Sequence, residues 1–282
     1  MESVLILGVD SLIGQALKAD LELHGNLVWG TTRRKDKIGT RVSYLDLARD
    51  KLEWCIPDHP FSVAVICFGV TSMRDCELDY ENSSRVNVDA TSILFNILVG
   101  RGIFVIFLSS DQVYAGNIPF VLPMQKAMPV TKYGLLKSMT EDRILSLGNQ
   151  VSVVRFTKIV TPNMQLIKYW KGELLNHRQV SPYSNVVMNP VPLWFSIEVL
   201  IRVIEKKISG IVQVSGVLDI SYDKVAYYLA YLMDVDYGLI KSIQCKNPRI
   251  YSTLDIGRLR QELKMEPPTL LEALNYCLSA EY

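Results

Sequence analysis

Short apolar runs rich in β-branched residues punctuate the first half of the chain, and stretches with apolar residues at helical spacing lie between them. The runs predict strands over 4–7, 26–30, 41–45, 63–67, 103–108 and 151–155. The stretches between predict helices over 12–23, 83–99 and 131–147. In the second helix Val86, Ala90, Ile93, Leu94 and Ile97 fall at the spacing of one helical face. The strands are continuous apolar runs, not alternating ones, which is the pattern of strands covered on both faces. Strand–helix alternation of this kind builds an α/β fold around a doubly wound parallel sheet.

Near Val160 the texture changes. Prolines gather at Pro162, Pro182, Pro190 and Pro192, and the rhythm becomes irregular. Helical spacing returns over 195–206, 222–233, 256–264 and 269–278, with a short strand over 211–214. We therefore expect a nucleotide-binding domain over 1–160 and a smaller C-terminal α/β substrate-binding portion over 161–282, with the chain near 210–220 returning to the sheet. Ligands of such sheets bind at the carboxyl ends of the strands.

Composition narrows the function classes. The 282 residues carry 30 basic and 29 acidic side chains, a net charge of +1, and this balance argues against a nucleic-acid partner. No apolar run approaches a membrane span, and Val4–Leu7 is too short for a signal segment. Five cysteines without CxxC spacing and three scattered histidines supply no metal cluster. His59 and His177, near prolines or in loops, are expected at the surface. The expectation is a soluble cytoplasmic protein with reduced thiols and no metal.

Two turns carry candidate chemistry. After the first strand comes Gly8-Val9-Asp10-Ser11-Leu12-Ile13-Gly14. Gly8 suits a tight turn, Gly14 lets the helix pack close to the strand, and the helix start offers backbone N–H groups to a pyrophosphate. Ser11 stands where the usual fingerprint has its middle glycine. The second strand ends in Thr31-Thr32-Arg33-Arg34, with no acid to accept from ribose hydroxyls. Arg33 and Arg34 would instead meet a 2′-phosphate, so NADP(H) is expected over NAD(H). Asp46, after the third strand, is placed to sit beside the adenine.

The most specific constellation is Ser110 with Tyr133 and Lys137. Tyr133 and Lys137 are at i and i+4 on one helix face. A cation near the phenol favours the phenolate, so Lys137 is expected to lower the Tyr133 pKa. Ser110 lies just past a buried strand, where its hydroxyl can hold a substrate carbonyl.

These segments resemble the extended short-chain dehydrogenases/reductases, and within them the dTDP-4-dehydrorhamnose reductase (RmlD-like) sugar-nucleotide group. Leu108-Ser109-Ser110-Asp111-Gln112-Val113-Tyr114-Ala115-Gly116 is similar to that group's strand end. Arg85-Val86-Asn87-Val88 resembles its Asn-bearing helix, Val154-Arg155-Phe156-Thr157-Lys158 the strand after the catalytic helix, and Asn189-Pro190-Val191-Pro192 a segment leading into the next helix. The C-terminal segments 210–216 and 254–259 also echo the group. The resemblance implies a Rossmann-like fold and hydride transfer from NADPH. Tyr133 would donate a proton to a 4-keto-6-deoxy nucleotide-sugar, Ser110 would orient the carbonyl, and Lys137 would bind the nicotinamide ribose. Asn87 would hold a water or a backbone kink behind Lys137. Cofactor contacts would come from Gly8, Ser11, Leu12, Ile13, Gly14, Thr32, Arg33, Arg34, Asp46, Leu47, Cys67, Phe68, Gly69, Tyr133, Lys137 and Phe156. Substrate contacts would come from Thr71, Ser110, Asp111, Lys158 and Asn189.

Departures from the group's pattern shape the reading. Phe68-Gly69 replaces two alanines beside the cofactor. Gln112 follows Asp111 where dehydratases carry a glutamate, and an amide cannot remove a proton, so elimination is disfavoured. Reduction leads, with a nucleotide-sugar epimerase and a non-catalytic NADP-binding regulatory subunit as alternatives. A homodimer is the assembly the resemblance allows.

Overall fold

The computed structural model describes residues 2–278. In chain order its main elements are β1 (Ser3–Leu7), α1 (Leu12–Leu23), β2 (Leu27–Thr32), β3 (Val42–Tyr44), β4 (Val63–Ile66), α2 (Met73–Leu78), α3 (Tyr80–Ser84), α4 (Thr91–Gly100), β5 (Phe104–Ser110), α5 (Lys132–Leu145) and β6 (Val151–Phe156). There follow β7 (Lys158–Val160), α6 (Gln165–Leu175), β8 (Val187–Met188), β9 (Pro190–Pro192), α7 (Leu193–Lys206), β10 (Gly210–Val214), β11 (Ile220–Ser221), α8 (Tyr222–Met233), α9 (Gly257–Gln261) and α10 (Leu270–Leu278).

Seven strands form one parallel sheet in the order β10-β6-β5-β4-β1-β2-β3, flanked by helices in a Rossmann-like fold. The chain winds outward from β1 through β2 to β3, then returns to β4 on the other side of β1. That reversal leaves a crevice beyond the carboxyl ends of β1 and β4, the usual ligand position of an open α/β sheet. Leu5 pairs with Trp29 on one side and Ala64 on the other. Val4, Leu5, Ile6 and Leu7 are fully buried, which explains why the strand reads as an unbroken apolar run.

The chain divides into two compact bodies. The first takes the chain through Tyr114, then Met124–Arg155 and Ile197–Val212. Its core joins Leu5, Leu7 and Ile66 from the sheet to Leu94, Phe95 and Leu98 from α4. The second takes Ala115–Pro123, Phe156–Ser196 and the chain from Gln213. The division thus crosses the chain several times, where the sequence suggested one boundary near 160. Strand β10 joins the sheet beside β6, as the expected return near 210–220.

Within the second body, β7 pairs in parallel with β9, placing Lys158 opposite Pro190, and β8 pairs antiparallel with β11. Prolines are tolerated in such short strands because few ladder bonds need their missing N–H. The core there gathers Val160, Ile167, Trp170, Leu174, Met188, Val225, Leu229 and Leu274.

Three elements differ from expectation. The helix expected over 83–99 is interrupted by a π-helical segment, Arg85–Ala90, between α3 and α4. Helix α6 was not expected, although Ile167, Trp170 and Leu174 bury one face at helical spacing. The helix expected over 256–264 is the short α9, Gly257–Gln261. His59 is half-buried and stacks on Trp29 with ring centroids 5.3 Å apart, so it is not the surface residue anticipated.

Candidate active site

The first βα turn is shaped by its glycines. Gly8 has φ +92°, a left-handed conformation, and a Cβ there would stand 2.9 Å from the Phe68 Cβ. A Cβ on Gly14 would lie 2.3 Å from the Gly8 carbonyl oxygen, so only glycine lets α1 start this close to β1. Ser11 caps the helix: its Oγ accepts from the Gly14 N–H at 3.0 Å and donates to the Gly8 carbonyl at 2.8 Å. The hydroxyl of Ser11 is therefore engaged by the turn's own backbone. The N–H groups of Leu12 and Ile13 head α1, where no preceding turn can receive them.

Beyond β2, Thr32 is buried and its Oγ1 accepts from the Arg34 N–H at 3.0 Å. Arg33 and Arg34 are exposed. Arg34 Nε lies 4.0 Å from Asp10 Oδ2, so an acid from the first turn reaches the basic pair. Asp46 Oδ1 accepts from the Ala48 N–H at 3.0 Å, and Leu47 is buried. Past β4, Cys67, Phe68 and Gly69 are half-buried and Thr71 is exposed. Phe68 packs against the core of the first body. Burial pushes the Cys67 thiol up to about 12, so it stays protonated at neutral pH.

Asn87 sits in the π-helical segment and is buried. Its Oδ1 accepts from the Val70 N–H and its Nδ2 donates to the Val70 carbonyl, each at 2.8 Å. This two-point clamp fixes the loop after β4. The Asn87 carbonyl accepts from Thr140 Oγ1 at 2.9 Å, tying the π segment to α5, which also bears Tyr133 and Lys137.

Thr131 caps α5, its side chain accepting from the Gly134 N–H at 3.0 Å. The helix then presents Tyr133, Lys137 and Glu141 one turn apart. Tyr133 packs against Cys76, Val88 and Leu136. Burial, with the nearby Asp111 charge, pushes the Tyr133 phenol above its ordinary range, and the opposing influence of Ser110 is smaller. Lys137 is 7% exposed; its Nζ donates to the Leu108 carbonyl at 2.8 Å and lies 4.4 Å from the Phe107 ring centroid and 5.8 Å from that of Tyr133. Burial brings its pKa down to about 8, against the opposing charge of Glu141. The sequence reading had Lys137 lowering the Tyr133 pKa. Here its ammonium is directed at Leu108, and desolvation dominates the phenol.

Behind these groups lies a buried ionic cluster that the sequence reading missed. Glu141 and Arg155 are 2% and 3% exposed and pair through Nη2–Oε2 at 2.6 Å and Nε–Oε1 at 3.0 Å. Ser109 Oγ donates to Glu141, and Arg155 Nη1 donates to the Tyr114 hydroxyl. The available signal was Glu141 itself, four residues after Lys137. Asp111 is also buried; its Oδ1 accepts from Ser110 Oγ at 3.0 Å and from Gln112 Nε2 at 3.4 Å.

In the second body, Lys158 is exposed at the start of β7, while Phe156 is buried. Asn189 was expected to contact substrate, and the structure corrects this. It is fully buried, its Oδ1 accepting from Thr157 Oγ1, Ser215 Oγ and the Gly216 N–H, its Nδ2 donating to the Gly216 and Leu218 carbonyls and to Asp219. Its amide ties four segments together and has no capacity left for a ligand. Among the described residues no group of three or more His, Cys, Asp or Glu gathers as a metal site, and no helix is long and apolar enough to cross a membrane.

No curated protein matches the chain in sequence. Solved structures do match its fold. The dTDP-4-dehydrorhamnose reductase of Bacillus anthracis str. Ames, in complex with NADP, superposes with a TM-score of 0.83 at 16% identity over 98% of this chain and 97% of that one. A dTDP-4-dehydrorhamnose reductase of Clostridium acetobutylicum gives 0.79 at 19% identity, covering 98% of each chain. The UDP-glucose 4-epimerase of Thermotoga maritima, with UDP-glucose, gives 0.81 at 15% identity over 98% and 97%. The model of the RmlD substrate binding domain matches residues 1–229, and the chain belongs to that family.

Proposed function

We propose that the protein is an NADP(H)-dependent reductase of a nucleotide-sugar ketone, with a 4-keto-6-deoxy sugar as the substrate class. The observation that carries this reading is Tyr133 and buried Lys137 one turn apart on α5, with the Lys137 Nζ 5.8 Å from the Tyr133 ring centroid and Ser110 at the end of β5. The residues present fit a dinucleotide: Gly8 and Gly14, where a Cβ would strike Phe68 and the Gly8 carbonyl, bring the start of α1 close against the end of β1. The Leu12 and Ile13 N–H groups would hold its pyrophosphate, and Arg33 with Arg34 a 2′-phosphate. Bound there, a reduced nicotinamide supplies hydride to the carbonyl carbon.

The chain's own groups supply the rest. Ser110 donates to the carbonyl oxygen and orients it. Tyr133, held protonated at neutral pH by burial, is in the form a reduction needs, and its hydroxyl passes the proton to that oxygen. The Lys137 ammonium, anchored on the Leu108 carbonyl and 5.8 Å from the Tyr133 ring centroid, offsets part of the charge of the phenolate that remains and would hold the ribose. Asn87 keeps the loop after β4 in place through Val70. Lys158, exposed on β7, is a contact for the nucleotide-sugar.

The test follows nicotinamide absorbance with purified protein, NADPH and a panel of 4-keto nucleotide-sugars. Stoichiometric oxidation of NADPH is expected, and Tyr133→Phe should slow it by roughly 10²–10⁴-fold while cofactor binding persists. Binding of NADPH without turnover of any sugar would overturn the reductase reading.

A further inference from the structure

The end of β2 lacks the acid that a ribose-binding site for NAD would use, and in sequence the nearest acid to its two arginines is Asp36, set between Lys35 and Lys37. The fold brings another acid to Arg34. Asp10, 24 positions before Arg34 in the chain, stands in the phosphate-binding turn, and its Oδ2 lies 4.0 Å from Arg34 Nε. Parallel pairing of β1 with β2 brings the two turns side by side: Leu7 is opposite Thr31, and the Gly8 and Val9 N–H groups both donate to the Thr31 carbonyl, at 3.1 and 3.0 Å. Each partner is also anchored at its backbone. The Asp10 carbonyl accepts from Gln15 Nε2 at 2.8 Å, and the Arg34 N–H donates to Thr32 Oγ1 at 3.0 Å. The Asp10 side chain is 27% exposed and that of Arg34 55%, so both remain within reach of a ligand.

We infer that Asp10 is a specificity-determining residue, which sets the choice between NADPH and NADH by competing with the cofactor's 2′-phosphate for Arg34. This rests on the nicotinamide-dependent reading above. A 2′-phosphate entering beside Arg34 must displace the carboxylate or bind next to a like charge, and both lower its affinity. A 2′-hydroxyl meets no such opposition, and the carboxylate can accept a hydrogen bond from it. The basic pair and the acid therefore pull in opposite directions, and the site discriminates less sharply than Arg33 and Arg34 would alone.

The experiment is a fluorescence titration of the full-length protein with NADPH and with NADH, in low and moderate salt. Asp10→Asn preserves shape and removes charge. The expected result is a rise in the NADPH-over-NADH affinity ratio of roughly three- to fivefold, the range of an exposed ion pair, shrinking as salt is added. In an Arg34→Gln background the same Asp10 change should move the ratio much less, as a double-mutant cycle would register for coupled residues. An unchanged ratio, or equal tightening of both cofactors through the shared pyrophosphate, would overturn the inference while leaving cofactor binding intact. Failure of the unmodified protein to bind either cofactor would overturn the nicotinamide reading, and this inference with it.

Discussion

At the scale of single residues, the chemistry turns on how burial treats two titratable groups on one helix face. Tyr133 is driven toward its neutral form by burial and by Asp111, and Lys137 toward its neutral form by burial alone. For a lysine with its pKa brought down to about 8, the charge is present below that pH and lost above it. Cofactor affinity should therefore weaken as pH rises from 7 to 9, with a midpoint near 8, and Lys137→Ala should remove the inflection. A pH series of NADPH titrations checks this. The sequence revealed which residues meet, because i and i+4 spacing on a helix is local information. It could not reveal the direction in which Tyr133 shifts, because desolvation depends on neighbours such as Cys76 and Val88 that arrive from other elements. Asn189 teaches the same lesson. A polar residue in a family-like segment reads as a ligand contact, whereas its partners from Thr157 to Asp219 lie up to 32 residues away and consume its whole hydrogen-bonding capacity.

At the scale of elements, α5, β5 and β6 are joined by the Glu141–Arg155 pair with Ser109 and Tyr114. Replacing one member strands a charge in a buried setting. Glu141→Gln should cost about 3–5 kcal/mol of folding stability, measurable by urea unfolding. Replacing exposed Glu53, paired with Arg49 at the surface, should cost less than about 1 kcal/mol and serves as the comparison. The elements themselves were largely legible. Helix α1 and helix α8 have the bounds that apolar spacing predicted, and the Ser11 side chain caps the first of them. Helix α6 lies outside the helical ranges read from the sequence, although Trp170 reads as a residue on a helical face. Its buried Ile167, Trp170 and Leu174 carried a helical signal all along.

At the scale of the whole molecule, strand order was the hidden quantity. Alternation of strands and helices announces a parallel doubly wound sheet, but the bodies are not contiguous in sequence. Helix α7 contributes from Ile197 onward to the first body, and β10 closes the sheet beside β6. A chain cut after Val160 would lack both, leaving β6, an all-buried strand, paired only with β5 and open along its other edge. Such a fragment should aggregate and show no cooperative thermal transition, whereas the full chain should elute as a defined species; size-exclusion chromatography and a thermal melt distinguish them. The boundary expected near 160 marks a change in sequence texture. Compactness follows the sheet instead.

The π-helical segment at Arg85–Ala90 has a consequence for angular phase. The Thr91 N–H reaches back five residues to the Val86 carbonyl, so this stretch holds more residues per turn than an α-helix. Val86, Ala90, Leu94 and Leu98, each four apart, all face the core. In an uninterrupted α-helix a repeat of four drifts by about 40° at each step, and the last of them would begin to turn outward. The wide turn takes up part of that drift. It works as a phase corrector, allowing one helical path to carry the Val70 clamp at one end and sheet packing at the other. Deleting one residue there would leave the composition almost unchanged and rotate everything after it by about 100°.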